Sequence, residues 1–597
     1  MRNMLIRIKG AQSVDEIALE GGCAYYISGE GDELLCRVDI PDTADFVAIE
    51  NNCDFWCRPF WGSSLTELHE RTQALLIRDG ELYKYLVPLC GEVYKSLLRG
   101  GEGGLELYTY SNSSRVTACR HQLALLYLEG EEPLSLVRRA AEQICSLIPG
   151  LKLREQREYP EVLEYLGWCS WDAFQIRVDH EGLLAKAREF KSKGVPVRFA
   201  IIDDMWADVP SLGEIPEDAS YKDMVGAMHR SRLRSFEGDP RRFPHGMGAA
   251  IDDLKKEGID RVGVWFPTTG YWAGLDPNGE EAKAQSENTV TLANGQVIVA
   301  PDTERAYRYF DSLCSRVRSW GADFVKIDNQ GFHKRYKDLE AIGVSARAIQ
   351  SAIDDATEKH FGGALINCMG MPSECMLNRR SAVSRCSNDF MPEDKAWFAR
   401  NVLRSSFNGL LQGQLYYNDF DMWWTDDEQA VKNSVCRAIS GGPIYVSDKL
   451  GRTNPEVLRP LCTEDGRIIR PDESATPTAD CLMRDPTTTD KIFKLRNRFG
   501  ENGVCAVLNL NRDGLPVSGT LYPAELGIDE VDYFYYEHFT HTEGVLLKGE
   551  GLDITLRDND EIRLYSFVPL ARCRGGGYPG RRDLYMGVGV PSEEQRA

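Results

Sequence analysis

Two aspartates are the residues best placed to do chemistry: Asp328, which ends the run VKID, and Asp389, which ends SRCSND. Carboxylates at the ends of separate apolar runs can divide glycoside cleavage between them, one attacking an anomeric carbon and the other protonating the departing oxygen. Similar runs elsewhere end in polar residues too: Asp203 and Asp204 after VRFAII, Lys326 two places before Asp328, Cys368 after LIN, Arg385 and Ser387 around Cys386, and Asp419 and Asp421 around QLYYNDFD. Any one Asp in such a place is more often a helix cap or a turn residue. The repetition weakens that reading. Seven of the 11 tryptophans, Trp168, Trp171, Trp206, Trp265, Trp272, Trp423 and Trp424, fall at the same ends. Core packing accounts for one or two of them, but a flat ring with one wet edge suits the apolar face of a sugar.

Other chemistries fit less well. Lys326 could form a Schiff base as in a barrel aldolase, yet it alternates with Asp328 on one strand face, and that carboxylate would keep the ammonium charged. A sugar-binding lysine is the better reading. Strand-end carboxylates can hold magnesium, but the nine histidines are not grouped there and several aspartates have Lys or Arg neighbours. Cys53 and Cys57 in CDFWC have a spacing that would suit zinc, with no second pair to complete a site. The expectation is an enzyme with no metal and no cofactor.

The elements needed to hold such residues are visible between about Glu161 and Lys449. Eight short buried-type runs, EYLGWCSW, VRFAIID, RVGVWF, DFVKID, ALINCM, SAVSRCS, GQLYYND and GPIYVS, alternate with amphipathic stretches. Eight is the number that closes a (β/α)8 TIM barrel, in which strand C-termini converge on one basin. Helices are expected from His180 to Lys193 after Asp179 and from Thr303 to Trp320 after Asp302, each stopped by a glycine. Two long segments, Ala207 to Arg242 and Thr268 to Ala300, follow the second and third strands, where barrel enzymes build pockets.

On either side the pattern becomes alternating runs broken by turns, such as ALLIRDGELYKYLVPL with its Asp79-Gly80 hairpin signal. The predicted α/β organisation has five parts. They are an N-terminal antiparallel β domain over 1–132, a linking helix within 133–160, the barrel over 161–485, a C-terminal β-sandwich over 486–572 and a loose Gly-rich tail over 573–597.

Bulk properties narrow the partners. With 91 acidic and 70 basic side chains the 597-residue chain carries a formal charge of −21, which repels nucleic acid and anionic lipid. No apolar run is long enough to span a bilayer, and the N-terminus has no secretion-type h-region. The 17 cysteines, an odd number set in apolar runs, suit reduced thiols in a cytoplasm. A small neutral partner is expected, with a homo-oligomer left open.

The strings YLGWCSWDAF, FAIIDDMW, VKIDNQ, SRCSNDF with its following PED, and AISGGPIYVSD resemble the raffinose synthase and seed imbibition branch of glycoside hydrolase family 36. The likeness spans the whole barrel. It implies the α-galactosidase clan: a (β/α)8 barrel with flanking β domains, retention of configuration and no cofactor. It implies Asp328 as nucleophile and Asp389 as acid/base. Asp203 and Asp204 would bind the galactose 4- and 6-hydroxyls with Lys326 nearby, Cys368 would lie by the 2-hydroxyl, Trp171 and Trp265 would wall the ring, and Arg385 would brace the site.

Two departures matter. Where relatives show consecutive aspartates this chain has Asn388-Asp389, and a neutral amide cannot act as the acid, so that role falls to Asp389. The chain is also more compact than the plant synthases and lacks their large insertions, which makes hydrolysis of an α-galactoside the default expectation. The alternatives are a galactosyltransferase of raffinose-synthase type and an α-N-acetylgalactosaminidase.

Overall fold

The computed structural model describes residues 6–40, 45–211, 215–216, 219–573 and 577–590. At its centre eight parallel strands form one sheet: Gly167–Cys169, Phe199–Ile202, Arg261–Pro267, Phe324–Asp328, Leu365–Asn367, Val383–Arg385, Tyr417–Asp419 and Tyr445–Val446. The ladder runs unbroken from the seventh strand back to the first, which then pairs with the eighth. The sheet is curled. Its two edges meet through side chains and a tight backbone approach: the Tyr445 hydroxyl donates to Asp419 at 2.6 Å, and a Cβ on Gly442 would sit 1.9 Å from the Asn418 carbonyl.

Nearly every residue of these strands is buried, because helices cover the outer face and side chains fill the inner one. The inner filling depends on two glycines. A Cβ on Gly167 would lie 2.1 Å from the Phe199 ring, and one on Gly263 would lie 2.4 Å from the Phe324 ring. Glycine in the first and third strands therefore makes room for phenylalanine in the second and fourth, whose rings meet edge to face at 5.6 Å.

Seven of the eight strands fall within the runs expected for them, with shorter cores, and the third, Arg261–Pro267, runs one residue past its run. The seventh starts late, because the helix Lys395–Leu415 continues through Gly413 and the Tyr416 amide still donates to the Gln412 carbonyl. The helices His180–Ser192 and Thr303–Ser319 are capped by Asp179 and Asp302, whose carboxylates accept from backbone amides of the first turn. The linking segment is α-helical over Pro133–Leu147, where the Glu132 side chain caps the first turn, and has one further 3-10 turn at Arg154–Gln156.

The N-terminal part is an eleven-stranded antiparallel sheet from Arg7–Lys9 to Ala118–Gly130. It is tied firmly to the parallel sheet: Lys95 and Glu374 form a buried ion pair at 2.5 Å, and Trp61 packs edge-on against Phe407 at 5.0 Å. At the C-terminal end a six-stranded antiparallel sheet and the two-stranded ladder of Val517–Leu521 with Leu552–Leu556 share an apolar cluster that includes Val507, Leu521 and Phe567.

The expectation of a loose tail needs correction. Residues 574–576 and 591–597 lie outside the described residues, but Tyr578, Leu584, Tyr585 and Met586 are buried. Tyr578 stacks on Tyr536 at 4.8 Å. The Gly-rich composition hid four apolar side chains large enough to hold the segment down. Nor do Cys53 and Cys57 form a thiol pair for a metal: Cys57 accepts from the Asn51 side chain at 3.0 Å and Cys53 from the Trp56 amide at 3.3 Å.

Candidate active site

Polar side chains converge where the eight strands end. Lys326, inside the fourth strand, donates to the Asp203 carboxylate just past the second at 2.8 Å, and the two side chains are only 3% and 5% exposed. Burial alone would strip the ammonium of its proton, but Asp203 outweighs it and holds Lys326 charged. Asp203 also accepts from the Cys169 thiol at 3.2 Å, and its amide donates to the Ser170 hydroxyl at 2.9 Å.

Asp204 is gripped from the long loop after the third strand. The Tyr271 hydroxyl donates to one of its oxygens at 2.6 Å and the Trp272 indole to the other at 2.7 Å. Burial still pushes the carboxyl up to about 7, against those donors and with help from the neighbouring Asp203 charge.

Asp328 ends the fourth strand. It accepts from the Trp265 indole at 3.0 Å and from the Asn329 amide at 2.6 Å. Trp265 is itself fixed, because the Trp206 indole donates to its carbonyl at 2.6 Å. Burial raises the Asp328 carboxyl above its ordinary value, while Lys326 and the Trp265 indole pull it back.

Asp389 differs in kind. Its side chain is 52% exposed, and its one cationic partner is Arg385, at 3.2 Å. Although open on one side, the carboxyl is raised to about 6 because protein encloses the rest of it; Arg385 opposes that shift and the Asp421 and Asp328 charges add to it. Arg385, fully enclosed, also reaches Asp421 at 2.9 Å and the Cys368 thiol at 3.8 Å. Asp421 in turn accepts from the Phe390 amide at 2.6 Å, fixing the turn that carries Asp389.

Eight of the nine candidate residues are thereby joined by direct contacts, sequence adjacency or shared partners. Trp171 stands apart, half-buried at the start of the short helix Trp171–Phe174, with no hydrogen bond to the rest. Sequence reasoning did not single out Tyr271, Trp272, Asp172 or Trp56 as site residues. Asp172 is buried among Asp421, Asp389 and Asp203, held by the Ser447 hydroxyl at 2.7 Å, and its carboxyl is raised well above the ordinary range by burial and, less strongly, by those neighbours. Trp56, from the N-terminal sheet, lies over the Arg385 guanidinium at 5.4 Å. The signals were present in GYWAG, WDAF and CDFWC, but nothing local says that a loop will fold back over a strand end.

Backbone strain gathers at the same level. Met205, Asn329, Met369 and Asp421, each one or two residues past a strand end or its terminal aspartate, have φ of 78°, 54°, 51° and 71°. Such conformations cost energy for non-glycine residues and persist where surrounding contacts impose them. At Asn329 the contacts are explicit: its side chain donates to the Thr269 hydroxyl at 3.0 Å and its carbonyl accepts from Thr268 at 2.6 Å. Among the described residues no group of three His, Cys, Asp or Glu side chains is arranged to hold a metal ion, and no helix is long and apolar enough to cross a membrane.

The fold is that of solved α-galactosidases. A glycoside hydrolase family 36 α-galactosidase from Geobacillus stearothermophilus superposes with a TM-score of 0.58 at 10% identity, covering 94% of this chain and 86% of that one. The galactosidase domain of an α-galactosidase–sucrose kinase gives a TM-score of 0.57 at 12% identity, covering 94% and 85%. The chain belongs to the family described as raffinose synthase or seed imbibition protein Sip1, whose family model matches residues 42–515. A probable galactinol–sucrose galactosyltransferase of Arabidopsis thaliana is 28% identical over 504 residues, 79% of this chain and 64% of the relative. Stachyose synthase of Pisum sativum is 24% identical over 692 residues, 91% of this chain and 80% of the relative. The chain spans slightly less than two thirds of the first of these relatives.

Proposed function

We propose that the protein cleaves α-linked galactosides by double displacement, with Asp328 as nucleophile and Asp389 as acid/base. The observation that carries this reading is the contrast between the two carboxylates: Asp328 enclosed and oriented by Trp265 and Asn329, Asp389 open to the pocket and held up to about 6. One is built to attack and the other to exchange a proton. In the first step an Asp328 oxygen bonds to the anomeric carbon as the glycosidic C–O bond breaks, and Asp389 gives its proton to the departing oxygen. In the second, Asp389 takes a proton from the acceptor hydroxyl, which displaces Asp328 and restores the original configuration. Retaining pairs of this kind stand about 5 to 5.5 Å apart.

Asp203, Asp204 and Lys326 would bind the galactose hydroxyls, Cys368 would face the 2-position, Trp171 and Trp265 would flank the ring, and Arg385 would position Asp389. The curled sheet and its helices are read as a (β/α)8 barrel between two β domains. Water is the proposed acceptor. A sugar hydroxyl as acceptor is the second reading, favoured by relatives named as galactinol–sucrose galactosyltransferases and stachyose synthase. Chromatography of products from galactinol, with and without sucrose, separates them: free galactose in both supports hydrolysis, a trisaccharide only with sucrose supports transfer. A fluorinated α-galactoside that labels a peptide other than the one holding Asp328 would sink the mechanism. Parallel assays on α-galactoside and its 2-acetamido counterpart test the volume beside Cys368.

A further inference from the structure

A cleft of about 620 Å³ lies between the N-terminal strand Cys57–Gly62, the helix Lys395–Leu415 and loops of the C-terminal sheets. Six cations line it, Arg58, Lys395, Arg400, Arg404, Lys432 and Arg512, in a chain whose formal charge is −21. Three are already satisfied: Arg58 by Glu50, Lys395 by Asp560 at 2.6 Å, and Lys432 by the Asn559 carbonyl. The single acidic lining residue, Asp485, is turned back on the amide and hydroxyl of Thr487.

Arg400, Arg404 and Arg512 have no carboxylate partner among the described residues. Arg404 buries its Nη1 without any hydrogen-bond partner, and burial, with Arg58 and Arg400 adding repulsion, lowers it to about 10. Arg404 is half-buried with an unmet donor while Arg400 and Arg512 are exposed beside the same cleft, and an anion there removes repulsion and satisfies that donor. Trp61 also lines the cleft and is only partly buried, and the volume is that of a small-molecule site.

We propose that this cleft binds a small phosphorylated molecule, its phosphoryl group bridging Arg400, Arg404 and Arg512 and its uncharged part resting on Trp61. A phosphoryl group fits better than a single carboxylate because it offers three acceptor oxygens to three planar forks. The site is separate from the sugar pocket but connected to it. The guanidiniums of Arg400 and Arg404 each lie 5.4 Å from the Trp397 ring centroid, and the Trp397 indole donates to the Asp389 carbonyl at 2.8 Å. An anion that draws the two guanidiniums is thus reported at Trp397.

The test is titration calorimetry and tryptophan fluorescence on the full chain, with inorganic phosphate, glucose 6-phosphate and glucose as probes. The expected result is saturable binding of both phosphates, tighter for the hexose phosphate and weakened by added salt, with none for glucose. Arg400→Ala/Arg512→Ala, two exposed positions, weakens binding by about tenfold or more, and Trp397→Phe reduces the fluorescence change, leaving the Trp61 contribution, but not the heat. Asp328→Ala binds the phosphates like the wild type, which separates this site from the proposed catalytic one. No saturable binding by the wild type, or equal affinity in the double variant, overturns the proposal.

Discussion

The Arg385 guanidinium lies 2.9 Å from Asp421, and the same Nη2 nitrogen is 3.2 Å from Asp389. One enclosed cation is shared between a carboxylate that is 0% exposed and one that is 52% exposed. The Asp421 charge raises Asp389 while the shared Arg385 opposes that shift. Asp421→Asn keeps the shape and removes the charge. The Asp389 carboxyl then falls, and the basic limb of kcat/KM moves to lower pH by about one unit. Initial rates across pH for both proteins check this; an unmoved limb removes Asp421 from control of Asp389.

The wild-type profile follows from the same two groups. In the proposed mechanism Asp389 must be protonated to release the aglycone and Asp328 ionised to attack, so kcat/KM is lost as pH rises through about 6. The Asp328 carboxyl is raised by burial, so activity is lost as pH falls while still above the usual carboxylate range. The expected curve is a narrow bell on the acid side of neutrality. A plateau extending to pH 8 would mean that Asp389 is not the acid.

Lys326 and Asp203 form a buried pair whose members depend on each other. Lys326→Met leaves the Asp203 charge enclosed without its cation and costs about 3 to 5 kcal/mol in denaturant unfolding. Lys326→Met/Asp203→Leu recovers most of that stability while galactoside binding stays lost. Calorimetry with galactose on the double variant separates the two effects, and retained binding there would take both residues out of the sugar site.

Much of this arrangement was legible because the strands of the curled parallel sheet are short and buried on both faces, so the apolar runs stand out and their ends are marked by charge. Asp328, Asp389, Asp203 and Lys326 could be named for that reason. Tyr271 could not, and Trp272 was named only as one of the strand-end tryptophans, since their partner Asp204 lies 67 and 68 positions earlier and only the folded loop brings them together. Asp172 hid behind a motif read for its tryptophans, and the packing of Tyr578–Met586 hid behind glycine. Periodicity reports which face is buried; it does not report which loop covers it.

The N-terminal sheet is expected to act in catalysis through Trp56. A Cβ on Gly331, just past the fourth strand, would lie 2.3 Å from the Asp54 carbonyl, so the 52–56 loop sits tightly on the strand ends. Asp54 is anchored by Arg71 at 2.8 Å and Lys334 at 3.2 Å. Trp56, 6% exposed, then places its ring over Arg385. Trp56→Ala would empty a core position and cost about 3 to 5 kcal/mol of stability, which confounds any rate effect. Trp56→Phe keeps most of the packing but offers Arg385 a weaker ring face, so kcat/KM should fall by about two- to tenfold, from roughly 0.5 to 1.4 kcal/mol, with the melting temperature nearly kept. If Trp56→Phe turns over at the wild-type rate across the pH range, the sheet braces the barrel without reaching its chemistry.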